Sequence, residues 1–443
     1  MPEHDHDNEA TLTLFEFGDG GHYPNFMRLC LDYWHAHPRG VLRAIVTRRF
    51  AEKHPEVFAG YPNGPGSTVR WATLDSDDED ILQGARDFAN YGPVKGPPPA
   101  YSSLSAGWKL VNKYAARFPA RHILAMNLDE LLFPLGAGLP APSDLSGVLF
   151  FPAFYYRKAE RSIPFNWLAH YAFQERIVRE RLVNHPQLKV AFFLDADLAE
   201  RLKGTGTVRV QHLIDPVRVP EHEPSEEDRR AIRVLLGVPP DRHLYLFFGD
   251  FRTQKGTWRL MEALRGLKPE EASRICLAIV GHARDTIEER MSREVADLVA
   301  TTPLTVIRRK GYVPDAEVND WFDAANVVLA PYIRHPGSSG VLMLAAAHGV
   351  PAISQEYGLM GRMTRENRLG ITVDPNDIAA LTAALRQFLD PEPPAGFDRE
   401  TARAFARRNS AELFGEQLFG ALDPYLKAAS GRQVSTQLSA ESA

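Results

Sequence analysis

The chain contains very little cysteine and no surplus of basic residues. Its 443 residues include only two cysteines, Cys30 and Cys276, which are far apart and stand within apolar patterns. We therefore expect two buried thiols in a reducing compartment, and neither a disulfide framework nor a cysteine-based metal site. The formal net charge is −5, whereas a large nucleic-acid footprint needs a strong basic excess or a basic stripe. The composition therefore argues against a nucleic-acid partner.

Long apolar runs are absent as well. No stretch approaches the ~20 consecutive apolar residues of a membrane span. The opening MPEHDHDNEA is polar and acidic, where a secretory signal would be basic and then apolar. We expect a cytoplasmic protein, for which contact with the inner face of the membrane stays open. Both ends, residues 1–10 and 428–443, are expected to be disordered tails.

The chain does contain short β-rich runs that alternate with helical patterns. Most of the runs are continuously apolar, as required of a strand that is buried on both faces of a parallel sheet. Helical patterns at 25–36, 257–266, 285–300, 315–325, 339–348 and 377–390 fall between them. The alternation predicts an α/β protein with two Rossmann-like, doubly wound domains. The predicted strands are 11–17, 42–47, 68–74, 122–129, 147–154, 188–195, 208–215, 244–249, 276–281, 304–309, 326–332, 351–354 and 370–373.

Shifts in composition suggest where the domains begin and end. Residues 216–241 are rich in proline and acid and are expected to link the domains, while 96–107 is typical of a surface loop. A PEPPAGF break at 391–397 precedes a last helical stretch. The predicted parts are an N-terminal domain at 11–215, the linker, a C-terminal domain at 242–398 and a final helix at 399–427.

The stretch HPGSSGVLMLAAAHGVP, residues 335–351, places small residues directly before a helical pattern. Ser338 or Ser339 can cap this helix, and Gly349 with Pro351 can end it. A helix start offers unpaired N–H groups and a partial positive charge, which suit a phosphate, and glycine lets a ligand approach the backbone. The same residues also suit an ordinary loop and cap, so this stretch alone does not decide between the two.

Other loops in the same half also follow buried strands. LYLFFGDFRTQKG, residues 244–256, ends in a loop with Arg252 and Lys255, and Gly281 stands at the turn of IVGHARD. Open α/β sheets bind ligands at the carboxyl ends of their strands, and two cations there suit a diphosphate. An exposed basic turn is the alternative for each loop alone.

In their order along the chain, these segments resemble the C-terminal domain of GT-B glycosyltransferases. The pattern is strand–Gly–Lys-Gly–helix, strand–Val-Gly, Gly-Tyr-Val-Pro-Asp, strand–Ala-Pro-Tyr and Gly-Ser-Ser-Gly–helix–Gly-Val-Pro. The resemblance is closest to the large retaining group, family four in the usual classification, also called glycosyl transferases group 1. It covers roughly residues 240–390, and the N-terminal half fits the same plan more loosely.

The resemblance implies that the C-terminal domain binds a nucleoside-diphosphate sugar as a substrate. Lys255 matches the family's diphosphate-binding lysine, and Tyr312 with Val313 matches the turn beside the nucleobase. No permanently bound cofactor is implied. A metal is not expected, because no paired aspartates stand between short strands. Donor-binding residues are expected at Gly249, Gly281, Tyr312, Val313, Gly337, Ser338, Ser339 and Gly340.

The chain departs from the family in two respects. Asp250 stands where the family often has an arginine, and Arg252 is a candidate to replace that arginine. Pro336 and Leu344 stand where the family commonly has two glutamates, one near the sugar and one near the ribose. The 337–340 loop must therefore make more of the contacts with the donor, or the donor is bound differently.

The first half is expected to bind the acceptor. After the first strand, Gly20 and Gly21 bring backbone to the cleft, and His22 stands at the start of the next helix. His22 could orient the acceptor or the diphosphate, and capping or packing is the equally weighted alternative. Asp129 follows a buried strand, where a carboxylate could accept the proton of the acceptor hydroxyl or cap a turn.

The sequence thus predicts an enzyme that moves a sugar from a nucleoside diphosphate to a hydroxyl group. Arg252 and Lys255, with N–H groups near Ser338 and Ser339, would stabilise the departing diphosphate, and retention follows from the resemblance alone. A non-catalytic GT-B protein that binds a sugar nucleotide or a glycan is the alternative, favoured by the two missing glutamates.

The acceptor is open between a carbohydrate, a lipid-linked molecule and a small molecule, and the oligomeric state is not indicated. Arg176, Arg179 and Arg181 form a small basic cluster. Such a cluster is usually a solvated face. The alternative hypothesis is an approach to an anionic lipid surface, which would suit a lipid-linked acceptor.

Overall fold

The computed structural model describes residues 10–91, 100–150, 153–156, 172–283, 285–390, 392 and 394–427. The predicted tails therefore lie outside the described residues, apart from Ala10, which begins the first strand. Within these ranges no helix is long and apolar enough to cross a membrane. Cys30 and Cys276 are buried free thiols, as predicted.

The first half forms a seven-stranded sheet in the order β3-β2-β1-β4-β5-β6-β7. Every neighbouring pair is parallel. Successive side chains of a strand point to opposite faces, so Leu14 and Phe15 of the fully buried first strand enter separate apolar cores. The strands are β1 Ala10–Glu16, β2 Leu42–Val46, β3 Val69–Thr73, β4 Ala120–Ala125, β5 Asp144–Leu149, β6 Leu188–Phe193 and β7 Arg209–His212.

Helices cover both faces of this sheet. They are α1 Tyr23–Ala36, α2 Arg48–Lys53, α3 Ser76–Tyr91, α4 Ala100–Arg117, α5 Leu132–Gly136, α6 Ala153–Tyr156 and α7 Ala196–Leu202. Short 3₁₀ turns lie at Pro55–Val57, Leu128–Leu131 and Leu182–Asn184, and a π turn lies at Ile177–Arg181.

The predicted surface loop at 96–107 is wrong from Ala100 onward, because α4 begins there. Trp108, Val111 and Ala115 recur at helical spacing and are buried in the first core, so packing of one face explains the helix. The residues of the predicted loop before Ala100 lie outside the described residues.

The second half forms a six-stranded sheet, also parallel throughout, in the order β10-β9-β8-β11-β12-β13. Leu246 and Phe247 of its central strand again enter different cores. The strands are β8 His243–Phe251, β9 Ile275–Ala283, β10 Thr305–Lys310, β11 Val327–Ala330, β12 Ala352–Gln355 and β13 Gly370–Val373.

Helices also alternate with the strands of this second sheet. They are α8 Glu226–Leu235, α9 Thr257–Arg265, α10 Pro269–Ala272, α11 Asp285–Thr301, α12 Asp315–Ala324, α13 Gly340–Ala347, α14 Gly358–Glu366, α15 Ile378–Gln387, α16 Arg399–Arg408 and α17 Ala411–Leu426. A 3₁₀ turn at Thr253–Lys255 precedes α9.

The expected linker at 216–241 contains α8, which begins with a capping box at Ser225. Arg229 and Arg233 of this helix donate hydrogen bonds to the carbonyls of Asp323 and Ala324 in the second half. This helix is therefore attached to the second half, whereas Arg218, earlier in the same segment, forms an ion pair with Asp32 of α1 in the first half. The exact domain boundaries stay a prediction.

The last helical stretch consists of two helices rather than one. Ala402 and Ala406 of α16 are buried in a core of the second half, whereas Phe414, Leu418 and Leu422 of α17 are fully buried against the first half. Burial of each such side chain contributes about 1.5–3 kcal/mol. The end of the chain therefore joins both halves.

Candidate functional site

Two glycines open the carboxyl edge of the second sheet. Gly249 on β8 pairs in register with Gly281 on β9, and both have positive φ angles, 123° and 136°. A Cβ atom on Gly281 would lie 2.0 Å from the carbonyl oxygen of Gly249. Only glycine fits this close approach, which brings backbone to the point where the loops begin.

Lys255 is directed into this edge by the turn that follows β8. Its neighbour Gly256 has φ 76°, and a Cβ atom there would lie 1.9 Å from the Pro331 carbonyl oxygen. The ammonium group of Lys255 donates a hydrogen bond to the Tyr332 hydroxyl and lies 4.1 Å from the centroid of that ring. Tyr332 is buried just after β11, so Lys255 bridges two strand-end loops.

The loop before α13 meets the same tyrosine. The Ser339 hydroxyl is hydrogen-bonded to the Tyr332 hydroxyl at 3.0 Å. Ser339 occupies the N-cap position of α13 but makes no side-chain cap hydrogen bond, so the expected cap is wrong because the hydroxyl is engaged elsewhere. Gly337 is buried, whereas Gly340 is exposed and an added Cβ atom there would have no atom within 4 Å. Lys255 and the start of α13 thus lie on either side of Tyr332.

Arg252 lies at the outer side of this edge. Its guanidinium donates to Asp250 at 2.9 and 2.7 Å, and its side chain is 53% exposed. A Cβ atom on Gly20 would lie 3.1 Å from Arg252 Nη2. The glycine loop of the first half therefore reaches the strand-end loops of the second half, which brings Gly20 and Arg252 together.

His22 lies where the two halves meet. Its ring packs against Tyr23, Phe26 and Phe150, at centroid distances of 4.4, 5.3 and 4.5 Å. Removal from water, with smaller contributions from His335 and Arg252, lowers its pKa to about 3. The imidazole is therefore neutral at physiological pH. The preceding Gly21 has φ 63° and no atom within 4 Å of an added Cβ.

His335 is a site residue that sequence reasoning missed, although it begins the stretch singled out there. Its Nε2 lies 2.8 Å from the Ser338 carbonyl oxygen. A carbonyl oxygen can only accept, so Nε2 carries the proton. Burial and the nearby Lys255 lower the pKa of His335 to about 4, against an opposing effect of this hydrogen bond. Its position beside the glycine-serine loop was the available signal.

Asp129 and the 312–313 turn occupy the margins of the junction. Asp129 Oδ2 accepts a hydrogen bond from the Phe150 backbone N–H at 2.8 Å, which fits the turn-stabilising alternative. Because the Phe150 ring packs against His22, this contact places the carboxylate near the His22 ring. Val313 is buried, whereas Tyr312 is 55% exposed and its ring lies 6.3 Å from that of His54 in the first half. The roles of these residues stay predictions.

Asp215 is a second residue that sequence reasoning missed. It follows β7, its side chain is buried, and a hydrogen bond from the Ser338 side chain reaches its carboxyl group. Burial raises its pKa to about 6, and the Ser338 hydrogen bond opposes this shift. A carboxylate directly after a buried strand was the signal used for Asp129, and the same signal was present here.

An ion pair also connects the two halves. Arg362 on α14 donates to Asp195 at 2.8 Å, and the Asp195 side chain is fully buried. Asp195 also caps α7 by accepting from the Leu198 backbone N–H at 3.0 Å. In the described ranges no group of three or more His, Cys, Asp and Glu residues could hold a metal ion. The prediction that no metal is required stays a prediction.

Comparison with known proteins finds a family that is similar to the second half of the chain. Residues 242–391 match the family described as glycosyl transferases group 1. The chain is 28% identical over 229 residues to a D-inositol 3-phosphate glycosyltransferase of Thermobispora bispora, covering 48% of this chain and 53% of that protein. It is 32% identical over 197 residues to a protein of the same name from Streptomyces scabiei, covering 43% and 42%. The chain spans about half the length of the curated relatives it matches.

Solved structures cover nearly the whole chain. Anabaena HepE in complex with UDP and glucose has a TM-score of 0.63 at 14% identity, covering 94% of this chain and 99% of that one. A UDP-forming trehalose-phosphate synthase from Burkholderia vietnamiensis has a TM-score of 0.66 at 14% identity, covering 95% and 98%. WaaG, a glycosyltransferase of lipopolysaccharide biosynthesis, has a TM-score of 0.58 at 16% identity, covering 95% and 100%. These likenesses confirm the predicted GT-B architecture.

Proposed function

We propose that the chain transfers a sugar from a nucleoside-diphosphate sugar to a hydroxyl group, because residues 242–391 match the family described as glycosyl transferases group 1. The observation that carries the proposal is the contact chain from Lys255 through the Tyr332 hydroxyl to Ser339 at the start of α13. It gathers a cation, two hydroxyl groups and a helix start at one sheet edge. Such a set of donors suits a diphosphate.

In the proposed reaction the acceptor oxygen forms a bond to the anomeric carbon of the sugar. The bond from that carbon to the diphosphate oxygen breaks, and its electron pair leaves with the diphosphate. Lys255 and the first N–H groups of α13 stabilise the charge that develops there, and in a water-poor site such fixed donors act strongly. Retention of configuration rests on the likeness to the family.

The acceptor belongs at the junction with the first half. His22 is neutral there, with a pKa of about 3, so it suits hydrogen bonding to a hydroxyl group or a phosphate better than a role as a charged group. Asp129 is the proposed acceptor of the hydroxyl's proton. A carboxylate has acceptor sites on both oxygens, so the hydrogen bond from the Phe150 N–H to Oδ2 is compatible with that role. The acceptor class remains open between carbohydrate, lipid-linked and small molecules.

The basic cluster that would contact a membrane is largely paired with acidic side chains. Arg176 and Arg179 pair with Glu180 and Glu175 of their own helical segment, each at 2.9 Å. These pairs reduce the positive charge that the cluster with Arg181 offers to a lipid surface. Vesicles of neutral lipid and vesicles with about 30% anionic lipid would separate the cases in a flotation assay, since the electrostatic contribution is about 1 kcal/mol per basic residue. Equal flotation with both would remove the hypothesis.

The test of the main proposal is binding of nucleotides to the folded chain. Thermal shift against UDP, GDP and ADP and their sugars should give one positive class, because a ligand at a hundredfold its Kd stabilises the folded state by about 2.7 kcal/mol. Lys255→Ala should weaken binding of that ligand by about 10- to 100-fold, which is the contribution of a charge-assisted hydrogen bond. Lys268→Ala, which removes an exposed lysine outside the site, is the matched control. Unchanged affinity in Lys255→Ala would contradict the proposal.

A second candidate is a non-catalytic protein that binds a sugar nucleotide or a glycan. Pro336 and Leu344, where the family commonly has glutamates, favour it. Both candidates require nucleotide binding, so binding does not separate them. Hydrolysis of the donor, or transfer to an acceptor, that disappears in Lys255→Ala would favour the enzyme; binding without either reaction would favour the second candidate.

A further inference from the structure

One buried carboxyl group beside the glycine-serine loop has an unsatisfied oxygen. Asp215 is only 7% exposed, and its Oδ2 atom is buried without a hydrogen-bond partner among the described residues. The carboxyl group also forms no ion pair within those residues. A buried carboxylate oxygen normally accepts hydrogen bonds, so this atom needs an explanation.

The surroundings of Asp215 explain what holds it in place. It lies between β7 of the first half and the segment that leads to α8, and Val217 two residues later pairs with Ser410 between α16 and α17. The Ser338 side chain hydrogen-bonds the same carboxyl group. Asp215 therefore joins the connection between the halves to the loop that the proposed function assigns to the donor.

The chemistry of a carboxylate indicates which part of a donor it would contact. An ionised carboxylate accepts hydrogen bonds and repels phosphate oxygens, whereas sugar hydroxyl groups donate hydrogen bonds. Lys255 and the start of α13 supply positive partners for a diphosphate. Asp215, beside the same loop, supplies a negatively charged acceptor for the hydroxyl groups of a sugar. Both kinds of partner are needed when one ligand carries a diphosphate and a sugar.

On this basis, and resting on the proposed function, we propose that Asp215 Oδ2 accepts a hydrogen bond from a hydroxyl group of the donor's sugar. Asp215 is then a binding residue that distinguishes a nucleoside-diphosphate sugar from the free nucleoside diphosphate. Ser338 holds the carboxyl group in the orientation required. Burial raises the pKa of this carboxyl to about 6, which leaves it mostly ionised at neutral pH.

The test compares matched ligand pairs on the full chain. Isothermal calorimetry measures Kd for UDP, GDP and ADP and for UDP-glucose, UDP-galactose, UDP-N-acetylglucosamine, GDP-mannose and ADP-glucose. In the wild-type chain the cognate nucleotide sugar is expected to bind more tightly than its nucleotide. In Asp215→Asn the nucleotide sugar should bind about tenfold more weakly, the value of one hydrogen bond to a charged group. The free nucleotide should bind equally well or more tightly, because a like charge has been removed.

A control variant separates this effect from general disturbance. Asp78→Asn removes another buried carboxylate, one that contacts Lys113 and Tyr114 of α4 in the first half, and it should leave both affinities unchanged. Circular dichroism and the melting temperature of each variant establish that it is folded.

The outcomes are distinct. A loss of affinity for the nucleotide sugar in Asp215→Asn that the free nucleotide does not share supports the inference, and unchanged affinity for the nucleotide sugar overturns it. Equal weakening of both ligands means that Asp215 only maintains the loop, and this overturns the inference while the proposed function stands. If the wild-type chain binds none of these nucleotides or nucleotide sugars, the proposed function fails and this inference fails with it.

Discussion

Asp215 provides a quantitative prediction about stability. The residue is 7% exposed, and burial raises its pKa from 3.8 to about 6. As the pH rises, the unfolded chain therefore loses this proton before the folded chain does. The folded state has no disadvantage below the unfolded pKa, and it carries the full cost of the buried charge above about pH 6. In Asp215→Asn the side chain carries no charge, so this cost disappears.

The magnitude follows from the shift in pKa. One pKa unit corresponds to about 1.4 kcal/mol, so a rise from 3.8 to about 6 corresponds to about 3 kcal/mol. The free energy of unfolding of Asp215→Asn, relative to wild type, should increase by about 2 kcal/mol between about pH 4 and pH 6 and by a few tenths more before it becomes constant above about pH 7. The variant that loses affinity for the sugar should thus be the more stable protein, as is common at binding sites.

Denaturant unfolding of both proteins from about pH 4 to pH 8 measures this difference directly. The lowered pKa of His335, a residue common to both proteins, makes each of them less stable as the pH falls below 6.5. Taking the difference between the proteins removes that contribution. Ser338→Ala deletes the hydrogen bond that favours the ionised carboxylate, so this variant should lose more stability than wild type as the pH rises. A difference between Asp215→Asn and wild type that does not change with pH would refute the reasoning.

Three further predictions concern the contacts around the junction. Tyr332→Phe should weaken binding of a nucleoside diphosphate about 3- to 10-fold, since about 1 kcal/mol of hydrogen bonding to Lys255 is lost; an unchanged Kd in calorimetry would show that the hydroxyl does not orient the lysine. A bound nucleotide sugar should raise the pKa of His335 from about 4, because the phosphates are negatively charged. Calorimetric titrations near pH 5, in two buffers of different ionisation enthalpy, should therefore show proton uptake on binding. Zero uptake would place the phosphates away from this ring. Arg362→Met removes the ion-pair partner of the buried Asp195 and should lower the free energy of unfolding by about 3 kcal/mol. If the double variant Arg362→Met with Asp195→Asn is no more stable than Arg362→Met alone, an unpaired buried charge does not cause the loss of stability.

The strands of both sheets could be predicted from the sequence, and the reason is physical. Runs such as LYLFFG at 244–249 and CLAIVG at 276–281 are apolar on successive residues because both faces of each strand are buried. All thirteen predicted runs contain or overlap an observed strand, and the family-like order of the second half is confirmed. The break between α16 and α17 was missed, because the Asn409 carbonyl and the Ala411 N–H form hydrogen bonds with the distant Val217 instead of continuing one helix.

The site could be predicted only in part. Loops after β8, β9 and β11 meet because parallel strands end at the same edge, so Lys255 and Ser339 could be expected near each other. Tyr332, which joins them, was predicted only as the end of a strand, because the neighbouring sequence does not show that its hydroxyl bonds to the Ser339 side chain. The contact between Asp215 and Ser338 depends on how the two halves approach each other, which a pattern of apolar residues does not encode.

The two cations that the sequence suggested for a diphosphate are not equivalent in the structure. Arg252 is paired with Asp250, which cancels much of its field, although an exposed pair of this kind contributes only about 0–1 kcal/mol and a ligand can compete for the guanidinium.

Lys255 has a neutral partner, the Tyr332 hydroxyl, so its full charge remains available. The hydroxyl groups of Tyr332 and Ser339 carry two protons, and the hydrogen bond between them uses one of these. Whichever hydroxyl group donates in this bond, the proton of the other can be donated to a further acceptor. An anion at this point therefore meets an uncancelled ammonium and an oriented hydroxyl donor together, and we expect Lys255 to contribute more than Arg252 to binding the diphosphate.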